Sequence, residues 1–293
     1  MHRLSSNAVL VLVLLTGAGC GGSKEPAKSV DPVEESSAAH QITTVNPKVG
    51  FTVVTTESET MKLLLSVDGQ EVLVTESKAK EKRIEALATE GSVITKAKIT
   101  YIKMSESKQE GDQVAKVTAP LEGNSYILDA TGHEAEVDVA YRTAEGGTVE
   151  GEELEALKGD NESFGEPNMM FEALPTDGLE KGARVPALEA AFKGTFLDDD
   201  NKEHKVSNVR VSFDEFEDGA AVFSVALTLE GSASGMLDMK FEPVGTMHIA
   251  TDTGWPVRST LSGTITLSPI AGAQKQISGT GTGSMTETNT YPQ

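Results

Sequence analysis

Cys20 is the only cysteine of the 293 residues, and it closes the run Thr16-Gly17-Ala18-Gly19-Cys20. It is the one side chain whose chemistry the surrounding sequence singles out, and alone it cannot form an intrachain disulfide. Asp198-Asp199-Asp200-Asn201 suggests calcium, but the 12-residue calcium loop needs alternate acids, a glycine at its sixth position and a terminal Glu. Phe196 to His204 contains no glycine and reads as a solvated hairpin tip; Phe213 to Gly219 is a second acidic turn of the same kind. His40, His133, His204 and His248 have no zinc-helix spacing. No serine sits in a G-x-S-x-G elbow. Gly279 to Gly283 runs into threonines and so is no phosphate loop. These residues assign no catalytic group, no metal site and no cofactor, and they point to a protein that is not an enzyme.

The elements that position Cys20 are short. Arg3 precedes the apolar run Ala8 to Leu15, and small residues follow, the order of a secretory signal. Ala8 to Cys20 is 13 residues, against about 20 for a membrane-spanning helix.

Small residues followed by this cysteine resemble the lipobox of bacterial lipoproteins. The resemblance implies cleavage before Cys20, diacylglycerol on its sulfur and acylation of the new amine. Gly17 departs from the pattern, which favours Leu there. An ordinary cleaved signal peptide is the alternative. Two or three acyl chains anchor stably where one does not. The resemblance further implies that Gly21 after the cysteine, rather than Asp, permits export to an outer membrane if the cell has one.

Removing residues 1–19 leaves 24 Lys plus Arg against 45 Asp plus Glu. Such a charge repels nucleic acid and anionic lipid surfaces. From Cys20 to Gln41 the chain is rich in Ser, Glu, Pro and Ala, a composition that cannot bury enough apolar surface to fold. It reads as a tether with an r.m.s. span of roughly 25 Å.

The remaining pattern has period 2, the mark of half-buried antiparallel strands. Met61, Leu63, Leu65 and Val67 share a parity that Leu64 breaks, and Asp68-Gly69 signals a hairpin. Lys78 to Thr89 fits either helix or strand, and Glu90-Gly91 before Val93 favours strand. Val209, Val211 and Phe213 share a face, as do Ala221 to Leu229 and Trp255 to Leu267 on alternate residues. Gly279, Gly281 and Gly283 alternate with Thr280, Thr282 and Ser284, which predicts a solvated Thr/Ser face and a glycine face at a bend or a close approach.

Between 148 and 194 the spacing turns helical: Leu154 and Leu157; Met170, Ala173 and Leu174; Leu188, Ala191 and Phe192. Pro167 and Pro186 suit first turns, and Gly159 and Gly194 suit helix ends.

Gly123 to Gly132 and Gly245 to Gly254 match in Gly, Ile, Thr and Gly at an offset of 122, which predicts an internal repeat. The expected fold is mainly β, with antiparallel meanders in two repeated halves forming curved sheets or an open barrel. The expected segments are a signal peptide (1–19), lipidated Cys20 with its tether (20–41), a first half (42–147), a helical insert (148–194) and a second half (195–293).

Lipidated start, tether, paired meanders and a central Phe171-Glu-Ala-Leu-Pro175 with Gly182 and Val185 resemble a group of uncharacterised bacterial lipoproteins. More distantly, the architecture is similar to periplasmic lipoprotein-localisation carriers, which wrap an open sheet around an apolar cavity lidded by helices. The expected role is an envelope-anchored, non-enzymatic binding or scaffolding protein. The alternative is a carrier or sensor of an apolar ligand, held near Met169, Met170, Phe171, Leu188 and Phe192. The expected partners are the membrane, through Cys20, and an apolar ligand or an envelope protein.

Overall fold

The structure is a computed structural model that describes residues 41–292, except 68, 112, 118, 132–137, 177, 196–204, 234–236 and 271–276. Cys20, the tether up to residue 40, Asp198 to Asn201, His133 and His204 lie outside the described residues.

Eleven strands and three helices follow one another in the described residues. The first set is β1 (Thr52–Val67), β2 (Gln70–Glu90), β3 (Val93–Glu110), β4 (Gln113–Val117), β5 (Ser125–Thr131) and β6 (Asp138–Thr143). Helices α1 (Gly151–Gly159), α2 (Met169–Glu172) and α3 (Pro186–Thr195) follow. The second set is β7 (Lys205–Glu217), β8 (Ala220–Ala233), β9 (Leu237–Ala250), β10 (Pro256–Pro269) and β11 (Ile277–Thr290).

All eleven form one antiparallel sheet in the order β6-β5-β3-β2-β1-β11-β10-β9-β8-β7, with β4 added on β3. It is an open curved sheet and not a closed barrel. The two meanders are joined where β1 pairs with β11 through fourteen successive residue pairs, Val54 with Thr290 to Val67 with Ile277. The ambiguous Lys78 to Thr89 stretch is strand, within β2.

The period-2 pattern sorts side chains between two faces. Met61 and Leu63 are buried on the inner face, whereas Leu64 is 43% exposed on the outer one. The second meander does the same with Val211, Phe213, Ala221, Phe223 and Val225. On β11, Thr280, Thr282 and Ser284 face solvent.

The glycines of the inner face mark a crease. A β-carbon on Gly245 would lie 1.7 Å from the Thr260 carbonyl oxygen, on Gly263 2.1 Å from that of Glu242, and on Gly281 1.9 Å from that of Lys62. Gly245 faces Leu261, Gly263 faces Gly283, and Gly281 faces Leu63, so these positions step diagonally across β9, β10 and β11. Glycine lets the strands coil hard along that line. Of the two expectations, bend or close approach by another element, the bend holds, and the close neighbours are the adjacent strands themselves.

The inner face carries three apolar clusters. One joins Phe171, Leu174, Leu188 and Phe192 of the helical segment to Val211, Phe213, Phe223, Ile249 and Trp255 of the second meander. A second, at the opposite ends of β1, β9, β10 and β11, contains Met61, Leu63, Phe241, Ile265 and Ile277. A third packs Leu157 of α1 on Ala97, Ile99, Tyr126 and Leu128. Pro186 opens α3, where a missing N–H costs nothing, and Asn168 caps α2 by accepting from the Phe171 N–H. Pro167 lies outside the helix, one residue before that cap.

The proposed 122-residue offset is not a structural equivalence. Gly123 sits in a left-handed turn before β5, while Gly245 lies inside β9. Ile127 pairs with Lys98 on the face opposite buried Tyr126 and Leu128, whereas its counterpart Ile249 is on the inner face.

Candidate functional site

Three of the five residues expected near an apolar ligand are core. Phe171 and Phe192 are each 6% exposed and Leu188 is fully buried. Met170 packs partly buried against the same cluster, and Met169 is 47% exposed on the surface. Phe171 lies on Trp255 with ring centroids 5.0 Å apart, and Trp255 lies at the same spacing from Phe51. Tyr291 completes the group, 5.6 Å from Phe51. The Trp255 indole N–H donates to the Val45 carbonyl at 2.9 Å, so the segment before β1 is tied over the aromatic group. Beside it is a cleft of about 350 Å³, where Thr44, Asn46, Ser92, Glu172 and Thr176 border Phe171 and Leu174.

The chemistry of the inner face lies elsewhere, on β1, β2, β3 and β11. Strand alternation puts Thr55, Glu57 and Glu59 of β1 on the buried parity, continuous with Val53 and Met61. On β2 the matching parity carries Glu76, Lys78, Lys80 and Lys82. Register then sets the rows: Lys82 faces Thr55, which faces Asn289; Lys80 faces Glu57, which faces Glu287; Lys78 faces Glu59. On the other side Lys78 faces Glu106 and Glu76 faces Lys108. The result is a lattice of alternating charge set among the three apolar clusters.

A bulge and a helix end complete it. Glu81 pairs with Lys103 and Lys82 with Tyr101, leaving Ile102 as the extra residue of β3. That bulge keeps Tyr101 inward while Met104 and Glu106 continue on the same face. Helix α1 ends at Asp160, whose carboxylate binds Lys80 and, at 2.9 Å, Lys82. Tyr101 donates its hydroxyl to the same carboxylate at 2.7 Å. Asn161 donates to the Tyr101 oxygen at 2.9 Å and to the Leu157 carbonyl at 2.8 Å. Lys80 also pairs with Glu57 at 2.8 Å, and Lys108 with Glu76 at 2.8 Å. Cations at a helix C-terminus meet the negative end of its dipole, and Lys82 reaches the Asp160 carbonyl as well.

The electrostatics follow. Burial works to raise the Asp160 carboxyl, but Lys82 and Lys80 overcome it and hold it at about 2. Burial works to lower Lys80, and Asp160 with Glu57 reverses that and holds it above the ordinary lysine value. The Tyr101 hydroxyl is pushed up by burial and by Asp160. Glu59 differs. Burial, opposed by Lys78 and reinforced by Glu57, lifts its carboxyl to about 7. A carboxyl near neutrality in a charged lattice is a proton-exchanging group at physiological pH.

His248 lies half-buried on β9, lowered by burial and by Arg258 across the ladder. Among the described residues no group of three or more His, Cys, Asp or Glu has a metal-holding arrangement, and no helix is long and apolar enough to cross a membrane.

Composition and motif spacing do not reveal this lattice. Its signal is parity: Glu57, Glu59, Glu76, Lys78, Lys80 and Lys82 all fall on positions that alternation assigns to the buried face.

No family model matches the sequence, and no curated protein matches it. Among solved structures the chain is similar to lipovitellin, from a structure of lipid-protein interactions, at a TM-score of 0.37 and 8% identity, over 84% of this chain and 26% of that one. It therefore spans about a quarter of the lipovitellin chain. It is also similar to the translocator domain of the autotransporter NalP from Neisseria meningitidis, at a TM-score of 0.21 and 8% identity over 83% of this chain and 89% of that one. Likeness at this level carries no argument about function.

Proposed function

We propose that this chain is a bacterial envelope lipoprotein, held through acyl chains on Cys20 and facing from an outer membrane, whose curved sheet binds or scaffolds an envelope partner without catalysis. The observation that carries the binding-and-scaffold reading is the aromatic group of Phe171, Trp255, Phe51 and Tyr291, packed at ring spacings of 5.0 to 6.4 Å between the helical segment and the sheet. A carrier needs space where these rings are. The charges of Lys80, Lys82 and Asp160 engage one another rather than a common substrate position. Apolar-ligand carriage is the second reading. The cleft of about 350 Å³ beside Phe171 and Leu174 favours it, being within the range of small-ligand sites.

Two measurements on the purified chain separate the readings. Mass spectrometry of solvent extracts from a Cys20→Ala form should find no stoichiometric lipid. Phe171→Ala should lower unfolding stability by about 3–5 kcal/mol, as for a packed aromatic. A stoichiometric lipid, with near-wild-type stability of Phe171→Ala, overturns the scaffold in favour of the carrier.

A further inference from the structure

Residues 42–46, ahead of β1, form a strap. Ile42 and Pro47 are buried at its two ends, and Thr43, Thr44, Val45 and Asn46 between them are exposed. The Thr43 N–H donates to the Thr251 carbonyl at 2.8 Å and the Val45 N–H to that of Thr253 at 2.9 Å, so the strap lies along the turn between β9 and β10. The Val45 carbonyl accepts from the Trp255 indole. Ile42, 2% exposed, belongs to the cluster that joins the helical segment to the second meander. Gly254 leaves room for the strap to pass: a β-carbon there would lie 3.0 Å from Thr44 Cγ2 and 3.3 Å from the Thr43 carbonyl oxygen.

Beyond Pro47 the chain reverses in a turn closed by the Phe51 N–H on the Lys48 carbonyl at 2.8 Å, with Gly50 at φ 86°. Gly50 and Phe51 are already fastened to Ala86 of β2 by backbone hydrogen bonds, so Pro47, Lys48 and Val49 alone link strap to sheet. Short hinges invite exchange of the element they carry. Val45 is 39% and Val49 69% exposed, and they flank Pro47, which puts two bared valines at the hinge. When the turn opens, the hinges of two copies run past each other and cover these side chains. A second copy supplies the same Ile42, the same two N–H donors and the same Val45 carbonyl, so exchange gives up none of the strap's contacts. The balance is left to the hinge, where apolar cover is gained against the freedom lost on association.

We propose that two copies of this chain exchange straps, Ile42 of each entering the helical cluster of the other. The exchange depends neither on Cys20 nor on what the sheet binds, so its failure leaves the proposed function standing.

The test uses the Cys20→Ala chain, in which no acyl chains bring copies together. After slow removal of mild urea, sedimentation equilibrium should show monomer and dimer in a concentration-dependent balance. Inserting Gly-Gly-Ser between Lys48 and Val49 keeps the strap's contacts and lets it fold back freely, and should weaken the dimer at least tenfold. Val49→Ser should weaken it in the same direction. Trp255 is the single tryptophan of the sequence, which makes the exchange itself readable. Ile42→Ala should raise acrylamide quenching of Trp255 at least twofold. Mixed with an excess of a Trp255→Phe chain, which brings an intact strap and no tryptophan, the Ile42→Ala chain should return toward wild-type quenching. A wild type that is monomeric at every concentration overturns the proposal. So does a dimer indifferent to the insertion, which joins its copies through another surface. Quenching in Ile42→Ala equal to wild type, or a mixture as open to acrylamide as Ile42→Ala alone, overturns it as well.

Discussion

Tyr101 of β3 donates its hydroxyl to Asp160 at 2.7 Å, joining the floor of the sheet to the residue that ends α1. The same carboxylate receives Lys80 and Lys82, so one side chain holds the helix to three inward groups. Asp160→Asn leaves two buried ammonium groups short of a counter-charge. Removing one partner of a buried ion pair costs about 3–5 kcal/mol. Equilibrium unfolding in urea should show a loss of that order, with part of it recovered when Lys82→Met is added. A loss under about 1 kcal/mol would remove the latch role.

Asp160 and Glu59 titrate with opposite consequences. The Asp160 carboxyl is depressed on folding, from 3.8 to about 2. Its stabilisation is full above about pH 4 and is lost as pH falls through the folded value. Glu59 is raised, from 4.5 to about 7, so the folded state keeps a proton that the unfolded chain releases. Stability therefore falls as pH rises from about 4.5 to 7, by at most roughly 3 kcal/mol. Glu59→Gln should flatten that part of the pH–stability curve and be the more stable form at pH 8. An unchanged slope would show that another group titrates there.

Two glycines should respond in opposite directions. Gly281→Ala places a β-carbon against the Lys62 carbonyl, at 1.9 Å before relaxation, and should cost about 3 kcal/mol, the upper end of overpacking penalties. Gly159 ends α1 with open space around it, so Gly159→Ala should stabilise by about 0.5–1 kcal/mol. Thermal midpoints of both variants check the pair, and a Gly281→Ala midpoint equal to wild type would remove the crease.

Anchoring is read at Cys20. Cells given a palmitate analogue should label the wild-type chain and leave Cys20→Ala unlabelled. Equal labelling of the two would end the lipoprotein reading.

The apolar half of the fold was legible because alternation is a local property. Met61, Leu63 and the exception Leu64 could be assigned to faces from neighbours two residues away. Helical spacing likewise marked Leu188, Ala191 and Phe192 as one stripe. The lattice was not legible in the same way. Charges at Glu57 and Lys80 look like surface until register brings them opposite each other and Asp160 arrives from 78 residues beyond Lys82. The bulge at Ile102 left no composition signal, since any residue can be the extra one. The expected repeat has the reverse cause: Gly123 and Gly245 look alike in the sequence, and only the strand positions separate a turn from the inside of β9 and Ile127 from Ile249.

The pairing of β1 with β11 also governs the order in which the chain can fold. Val54 and Thr290 are partners more than 200 residues apart, so β1 emerges early from the ribosome and waits, with one edge open, for the last strand to be made. Contacts this distant in sequence close late and slowly. An open edge that persists meanwhile invites pairing with other chains. Truncations that remove β11 should therefore aggregate rather than yield a smaller soluble sheet, and the rate at which the final hairpin docks sets how long a nascent molecule stays vulnerable.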